Sequence, residues 1–327
     1  KGWLNTNRYN QVRGVAWVFR AMADAAYATP DGNPMKAYFA DKLKNNLEWM
    51  VQDYAVKRSF RAAGELEGWV PGVYTAGMTS PWQQSFMVMS LGYVAQRGFV
   101  EAIPLLKWMQ NFQTGQFLSR DKGFLPQFGA AYGLAINKKG TGREGPLIST
   151  WAEAFATTFG PDPKLTIGNL GYPSDGGGYM AAARGAQATL INTLGTPAAV
   201  EAYGITVAIT ERAGIERSYS NMAKWAIAPR LANGRYLLAA NIHVNSAPGD
   251  LDFADSSQNQ LLVAGPGNNR LKGGTGINLM FAGPGDDTLE AGPAGDYLFG
   301  GPGRNRLVGG GGGDYLKSGG GDTTFVF

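Results

Sequence analysis

From Asp255 to the C-terminus the chain repeats every nine residues, giving eight rows without a break. The clearest rows are Ala282–Glu290, Gly300–Val308 and Gly309–Lys317. The eighth position reads Leu262, Leu271, Met280, Leu289, Leu298, Leu307, Leu316 and Phe325, apolar in every row. The sixth reads Gln260, Asn269, Asn278, Asp287, Asp296, Asn305, Asp314 and Thr323. Glycine fills 20 of these 73 positions, and glycine permits the positive-φ turns that each half-coil needs. Between turns only a short strand fits, with its central apolar residue pointing inward. No single row buries that side chain alone, so the rows must stack into a parallel β-roll.

The pattern resembles the G-G-x-G-x-D-x-U-x repeat of the RTX (hemolysin-type calcium-binding) family. The resemblance covers residues 255–327, under a quarter of the chain. It implies Ca²⁺ as cofactor, held by turn carbonyls and sixth-position Asp side chains, because calcium takes six to eight oxygen ligands. Turns of such a roll alternate between its two edges, so an ion lies between rows eighteen residues apart. On that rule Asp296 and Asp314 form the best site. Asp287, between Asn269 and Asn305, forms a weaker one. Gln260, Asn269, Asn278, Asn305 and Thr323 lack the charge, so fewer or weaker ions are expected than in a full-consensus roll. The resemblance also implies secretion by a one-step machine that reads the C-terminus, with its signal beyond Phe327 if the native chain continues. The ending Asp322–Phe327 is similar to the D-T-F-V-F close of many RTX arrays.

Composition narrows the remaining chemistry. With no cysteine, disulfides, thiolate metal sites and cysteine nucleophiles are excluded. One histidine, His243, argues against a multi-histidine metal site and against a Ser-His-Asp triad that does not use it. No run of about 18 apolar residues exists, so no transmembrane helix is expected. The start at Lys1 has no apolar signal core and no Met, which suggests a processed or trimmed chain. The 254 residues before the repeats hold 24 Lys/Arg against 18 Asp/Glu, a mild basic excess that suits an anionic polymer. Basic clusters interleaved with aromatics and phosphate-binding glycine loops are absent, so neither nucleic acid nor nucleotide is expected as a partner.

Residues 1–232 read as helices. Apolar residues recur at helical spacing over Tyr9–Thr29. Asn33-Pro34 and Ser80-Pro81 are start signals for a second and a third helix. Gly98 is a stop, and Phe99–Phe112, Ile148–Phe159 and Tyr179–Leu194 follow. A shorter helix after Thr196-Pro197 and another over Asn221–Ile227 complete the set. Long Gly/Pro/aromatic loops separate the pairs, which resembles the (α/α) toroid of polysaccharide lyases and glycoside hydrolases. With seven or eight helices the toroid would be incomplete, to be finished by residues before Lys1 or by another chain, hence self-association. The expected organisation is therefore a helical toroid-like domain at 1–232, a connecting strand or linker at 233–254, and a β-roll at 255–327.

That resemblance implies a polysaccharide partner and a choice of residues. Elimination from a uronate needs a Tyr/Arg/Lys set, and hydrolysis needs paired carboxylates. The catalytic candidates are Tyr179 as base and acid, Arg13 to bind a carboxylate, Glu153 and Asp175. Glu65 and Glu67 are further loop carboxylates. Trp69 and Trp82, near loops, are the candidates to stack on sugar rings. The expected function is a secreted calcium-binding repeat protein acting on or binding polysaccharide. The alternative is a non-enzymatic matrix, adhesion or assembly component.

Overall fold

The computed structural model describes residues 11–57, 64–72, 77–138, 145–163, 178–214 and 226–327. The chain divides into two compact units, Lys1–Leu194 and Gly195–Phe327. Seven α-helices lie among the described residues. Most of the helix expected over Asn221–Ile227 falls outside them.

The first unit holds α1 (Val12–Ala28), α2 (Pro34–Met50), α3 (Pro81–Gln96), α4 (Ala102–Leu118), α5 (Trp151–Phe159) and α6 (Gly178–Leu194), with a short antiparallel pair β1 (Met78–Thr79) and β2 (Leu134–Ala135). The start signals work as read. The Asn33 side chain accepts from Met35 N at 2.9 Å, and Pro34 opens α2. Pro81 opens α3, while Ser80 Oγ instead donates to Tyr132 O at 3.0 Å. Thr150 caps α5 at Glu153 N, so that helix starts three residues later than Ile148.

Helix α3 packs against α1, α4 and α6, and nearly all of it is buried. A helix buried all round must pair its polar side chains internally. Gln84 does so with both main-chain groups of Val70, at 2.9 and 2.8 Å, and with Thr79. Gln113 does so with Ser85. A second core gathers Trp69, Phe112, Phe124, Phe128 and Trp151.

The second unit is a β-roll with one helix on it. Strands β3 (Ile242–Val244), β5 (Gln260–Val263), β7 (Asn278–Phe281), β9 (Tyr297–Phe299) and β11 (Tyr315–Lys317) form one parallel sheet. Strands β4 (Leu251–Asp252), β6 (Arg270–Lys272), β8 (Thr288–Glu290), β10 (Asn305–Val308) and β12 (Thr323–Val326) form the other. The register steps by eighteen: Leu262 pairs with Met280, Met280 with Leu298, and Leu298 with Leu316. Leu271, Leu289, Leu307 and Phe325 do the same in the second sheet. Leu262, Leu271, Met280, Leu289, Leu298 and Leu307 are fully buried between the sheets.

The roll starts before the unbroken repeat. Strand β3 pairs His243 with Leu262, and β4 pairs Leu251 with Leu271. These offsets are nineteen and twenty residues, which is why the nine-residue register does not reach back past Asp255.

Helix α7 (Pro197–Arg212) runs for 16 residues rather than as a short helix. It packs against β3, β5, β7 and β9. Side chains alternate along a strand, so the residues flanking each eighth position face outward. On rows one, three and five these are Leu261, Val263, Leu279, Phe281, Tyr297 and Phe299, all buried but Tyr297, and on row seven they are Tyr315 and Lys317, which are not buried. The Phe281 and Phe299 rings stack at 4.7 Å, and Gly204 of α7 sits on Phe281 so closely that a Cβ there would collide with the ring. Arg212 donates to Ala264 O at 2.9 Å, and Lys317 pairs with Glu201 at 2.7 Å, tying both ends of α7 to the roll. The other sheet turns Arg270, Lys272, Thr288, Glu290, Arg306 and Thr324 outward, with Val308 and Val326 its two apolar members.

Candidate calcium site and aromatic surface

The sixth-position side chains of rows two to seven pair across the eighteen-residue step. The Nδ2 of Asn269 donates to Gly265 O at 3.1 Å, Gly267 O at 2.6 Å and Asp287 Oδ1 at 2.9 Å. The Nδ2 of Asn278 repeats this with Gly274 O at 3.2 Å, Gly276 O at 2.8 Å and Asp296 Oδ1 at 3.1 Å. The Nδ2 of Asn305 donates to Gly301 O at 2.8 Å and Gly303 O at 3.3 Å. A main-chain ladder accompanies them. The N–H groups of Asn269, Asn278, Asp287 and Asp296 donate to Oδ1 of Asp287, Asp296, Asn305 and Asp314, at 2.8, 2.5, 3.1 and 2.8 Å.

The sequence model of the family described as RTX calcium-binding nonapeptide repeat (4 copies) matches residues 263–298 and 290–325. Residues 263–325 are an RTX repeat array. RTX nonapeptide repeats bind Ca²⁺, and proteins that carry them are typically secreted, which supports an extracellular location. No curated protein matches the chain as a relative. Among the described residues no helix is long and apolar enough to cross a membrane.

The rows of this RTX array differ in their fitness for a cation. A carboxylate has no hydrogen to give to the turn carbonyls, and burying it unpaired is costly. Asp287 is buried, and its Oδ2 has no hydrogen-bond partner among the described residues. Burial pushes its carboxyl above the usual range, against the hydrogen bonds from Asn269. Asp296 is fully buried, and burial pushes it up to about 6 despite N–H donors on Asn278 and Gly292. Burial raises Asp314 as well. Gly310 and Gly312 stack so closely over the carbonyls of Gly292 and Ala294 that a Cβ on either would collide with them.

These residues fit calcium. A buried carboxylate at a glycine turn is an arrangement that a hard cation offsets. Asp296 and Asp314, with the carbonyls of Gly292 and Ala294, would hold one ion. Asp287, with Asn305 Oδ1 and the carbonyls of Gly283 and Gly285, would hold another. Among the described residues no group of three or more His, Asp or Glu side chains gathers, so main-chain oxygens must supply most of either shell.

The helical unit carries a second feature. Arg13, Trp82 and Tyr179, named from sequence, meet at one place. The Trp82 and Tyr179 rings stack at 5.3 Å, and the Arg13 guanidinium lies 5.6 Å from the Trp82 ring centre. Tyr132, which sequence reasoning missed, joins Tyr179 at 5.5 Å and is 49% exposed. The Trp82 Nε1 is buried without a hydrogen-bond partner among the described residues.

From there a seam continues along α1 and α3, whose facing residues advance together. Trp17 meets Phe86 at 5.0 Å, Arg20 lies 4.8 Å from the Tyr93 ring, and Arg97 lies 4.1 Å from the Tyr27 ring. Asp24 accepts from the Tyr93 hydroxyl and pairs with Arg97 at 3.3 Å. Arg13 and Arg20 have no carboxylate partner among the described residues. From Arg13 to Tyr27 the seam runs about 21 Å at 1.5 Å per residue.

The other candidates lie elsewhere. Glu153 pairs with Lys138 at 3.6 Å on α5. Glu65 accepts from Trp151 N at 3.1 Å, and Glu67 accepts from Trp108 Nε1 at 3.2 Å. Trp69 is 6% exposed in the hydrophobic core. Asp175 falls outside the described residues.

Proposed function

We propose that this protein is exported by the one-step C-terminal-signal route, is stabilised outside the cell by calcium, and binds an anionic polysaccharide through its helical unit. The calcium part rests on Asp296 and Asp314, with Asp287 as the second position. Chelation should lower the melting temperature. Asp296→Ala and Asp314→Ala should each remove most of that sensitivity. A melt unchanged by chelator would count against bound calcium.

The polysaccharide part rests on one observation: Arg13, a cation with no carboxylate partner among the described residues, shares Trp82 with Tyr179 at the end of a ring-lined seam. Sugar rings stack on aromatic faces, and a guanidinium pairs with a carboxylate in two hydrogen bonds. If the unit is also an enzyme, the arrangement suits β-elimination. Tyr179 would take the proton beside the uronate carboxylate and return it to the leaving oxygen while Arg13 pairs with that carboxylate. Glu153 and Asp175 remain part of the proposed catalytic set.

The measurement is binding to a polyuronate and to a neutral glucan. Trp82→Ala and Arg13→Ala should each weaken polyuronate binding by about tenfold or more, the size of one lost charged or stacking contact. The far-ultraviolet spectrum should stay unchanged. Equal affinity for both polymers, or full affinity in both variants, would refute the reading. The second reading, a non-enzymatic matrix or assembly component, is favoured by the sixth-position asparagines, which supply bonding without metal.

A further inference from the structure

We infer that Asn269, Asn278 and Asn305 stand in for cations, so that the first rows of the roll assemble without metal and calcium acts only from the Asp287 and Asp296 rows onward. This rests on the calcium reading of Asp287, Asp296 and Asp314 given above.

In rows two and three the amide nitrogen lies at hydrogen-bond distance from three oxygens: two turn carbonyls of its own row and the carboxylate two rows on. Carbonyls of one turn plus a carboxylate of the next are the oxygens that a calcium shell would draw on. An amide carries two hydrogens and no net charge, so with one hydrogen shared between two acceptors it reaches all three oxygens without an ion. In row six Asn305 does the same for Gly301 and Gly303. In row one Gln260 Nε2 donates to Ser256 Oγ of its own turn at 2.7 Å.

The distribution of these amides divides the roll. On one edge the order is Asn269, Asp287, Asn305, and on the other Asn278, Asp296, Asp314. The junctions Asn269–Asp287 and Asn278–Asp296 are bridged by amide hydrogens. Only the junctions below Asp287 and Asp296 begin with an acid and lack such a bridge. Each of these two aspartates thus accepts an amide from two rows before it and offers its charge to an ion beyond. Rows one to three form a scaffold on which the calcium-dependent rows close, while α7 packs on rows one, three and five alike.

Hydrogen exchange on the full chain tests this, with calcium chloride and with chelator. In the wild type, amides within 260–281 should keep their protection in chelator, while amides within 297–317 should exchange about tenfold faster or more. In Asn278→Asp the chelator-sensitive segment should spread back to include 278–281, with protection restored by calcium. Asn278→Ala is the control: it removes the bridge without adding charge, so calcium should not rescue it. Equal loss across all rows of the wild type would overturn the inference and leave the calcium reading intact. So would an Asn278→Asp variant as protected in chelator as the wild type. No loss anywhere in the wild type, with Asn278→Asp alone dependent on calcium, would retire the ions at Asp287 and Asp296 while upholding the role of the asparagines.

Discussion

At the scale of single residues, one side chain reports on the roll by itself. His243 is the only histidine. Its Nε2 lies 3.2 Å from Gln260 Oε1, and its ring packs on Phe253 at 4.1 Å. Burial holds its pKa below the ordinary value near 6.5, and the hydrogen bond to Gln260 opposes that only in part. A histidine with a depressed folded pKa favours the folded state above the unfolded value. That contribution is lost as pH falls through 6.5 toward the folded pKa. His243 should therefore contribute a loss of stability on acidification across this window, and the difference between wild type and His243→Gln should isolate it. The imidazole resonances, free of overlap from any other histidine, give the pKa directly by NMR. Titration at or above 6.5 would contradict the packing described. The sixth-position residues were legible from sequence for their neighbours, because eighteen-residue spacing fixes who faces whom. The direction of the asparagine amides was not, since either end of a carboxamide fits the spacing.

At the scale of elements, what the sequence disclosed depended on how local the cause was. The parallel strands were legible because the period of nine repeats the same cause in every row. Helix starts at Asn33-Pro34 and Ser80-Pro81 were legible because caps and first-turn prolines act within four residues. The docking of α7 was not read, yet a signal was present. Residues flanking the buried leucines are mainly apolar in odd rows, as Leu279 and Phe281, and polar in even rows, as Thr288 and Glu290. An apolar outer face on one sheet only announces a covering element. The extra length of α7 went unseen for a related reason. Its Ala-rich run from Pro197 to Arg212 has weak sidedness, and its tertiary partner, not its own pattern, decides which face is buried. The meeting of Arg13, Trp82 and Tyr179 joins three distant segments, and no local pattern encodes such a meeting.

At the scale of the whole molecule, the two units follow different rules. The helical unit is held by long-range packing around α3, where nearly every side chain has a fixed neighbour. The roll is held by contacts between adjacent coils, so each row depends chiefly on the next. Its two outward faces are nevertheless unlike, one roofed by α7 and the other charged and open. That asymmetry gives the array a parity. Excising one row, residues 282–290, would shift every later row to the opposite sheet. Tyr297 and Phe299 would then emerge on the open face, and Arg306 would be forced beneath the helix. Excising two rows, residues 282–299, would return each survivor to its own side. The shorter excision should therefore bind a hydrophobic dye and melt broadly, while the longer one melts cooperatively despite losing twice as much chain. Such an array tolerates gain or loss of coils only in pairs, which makes eighteen residues its unit of evolutionary change.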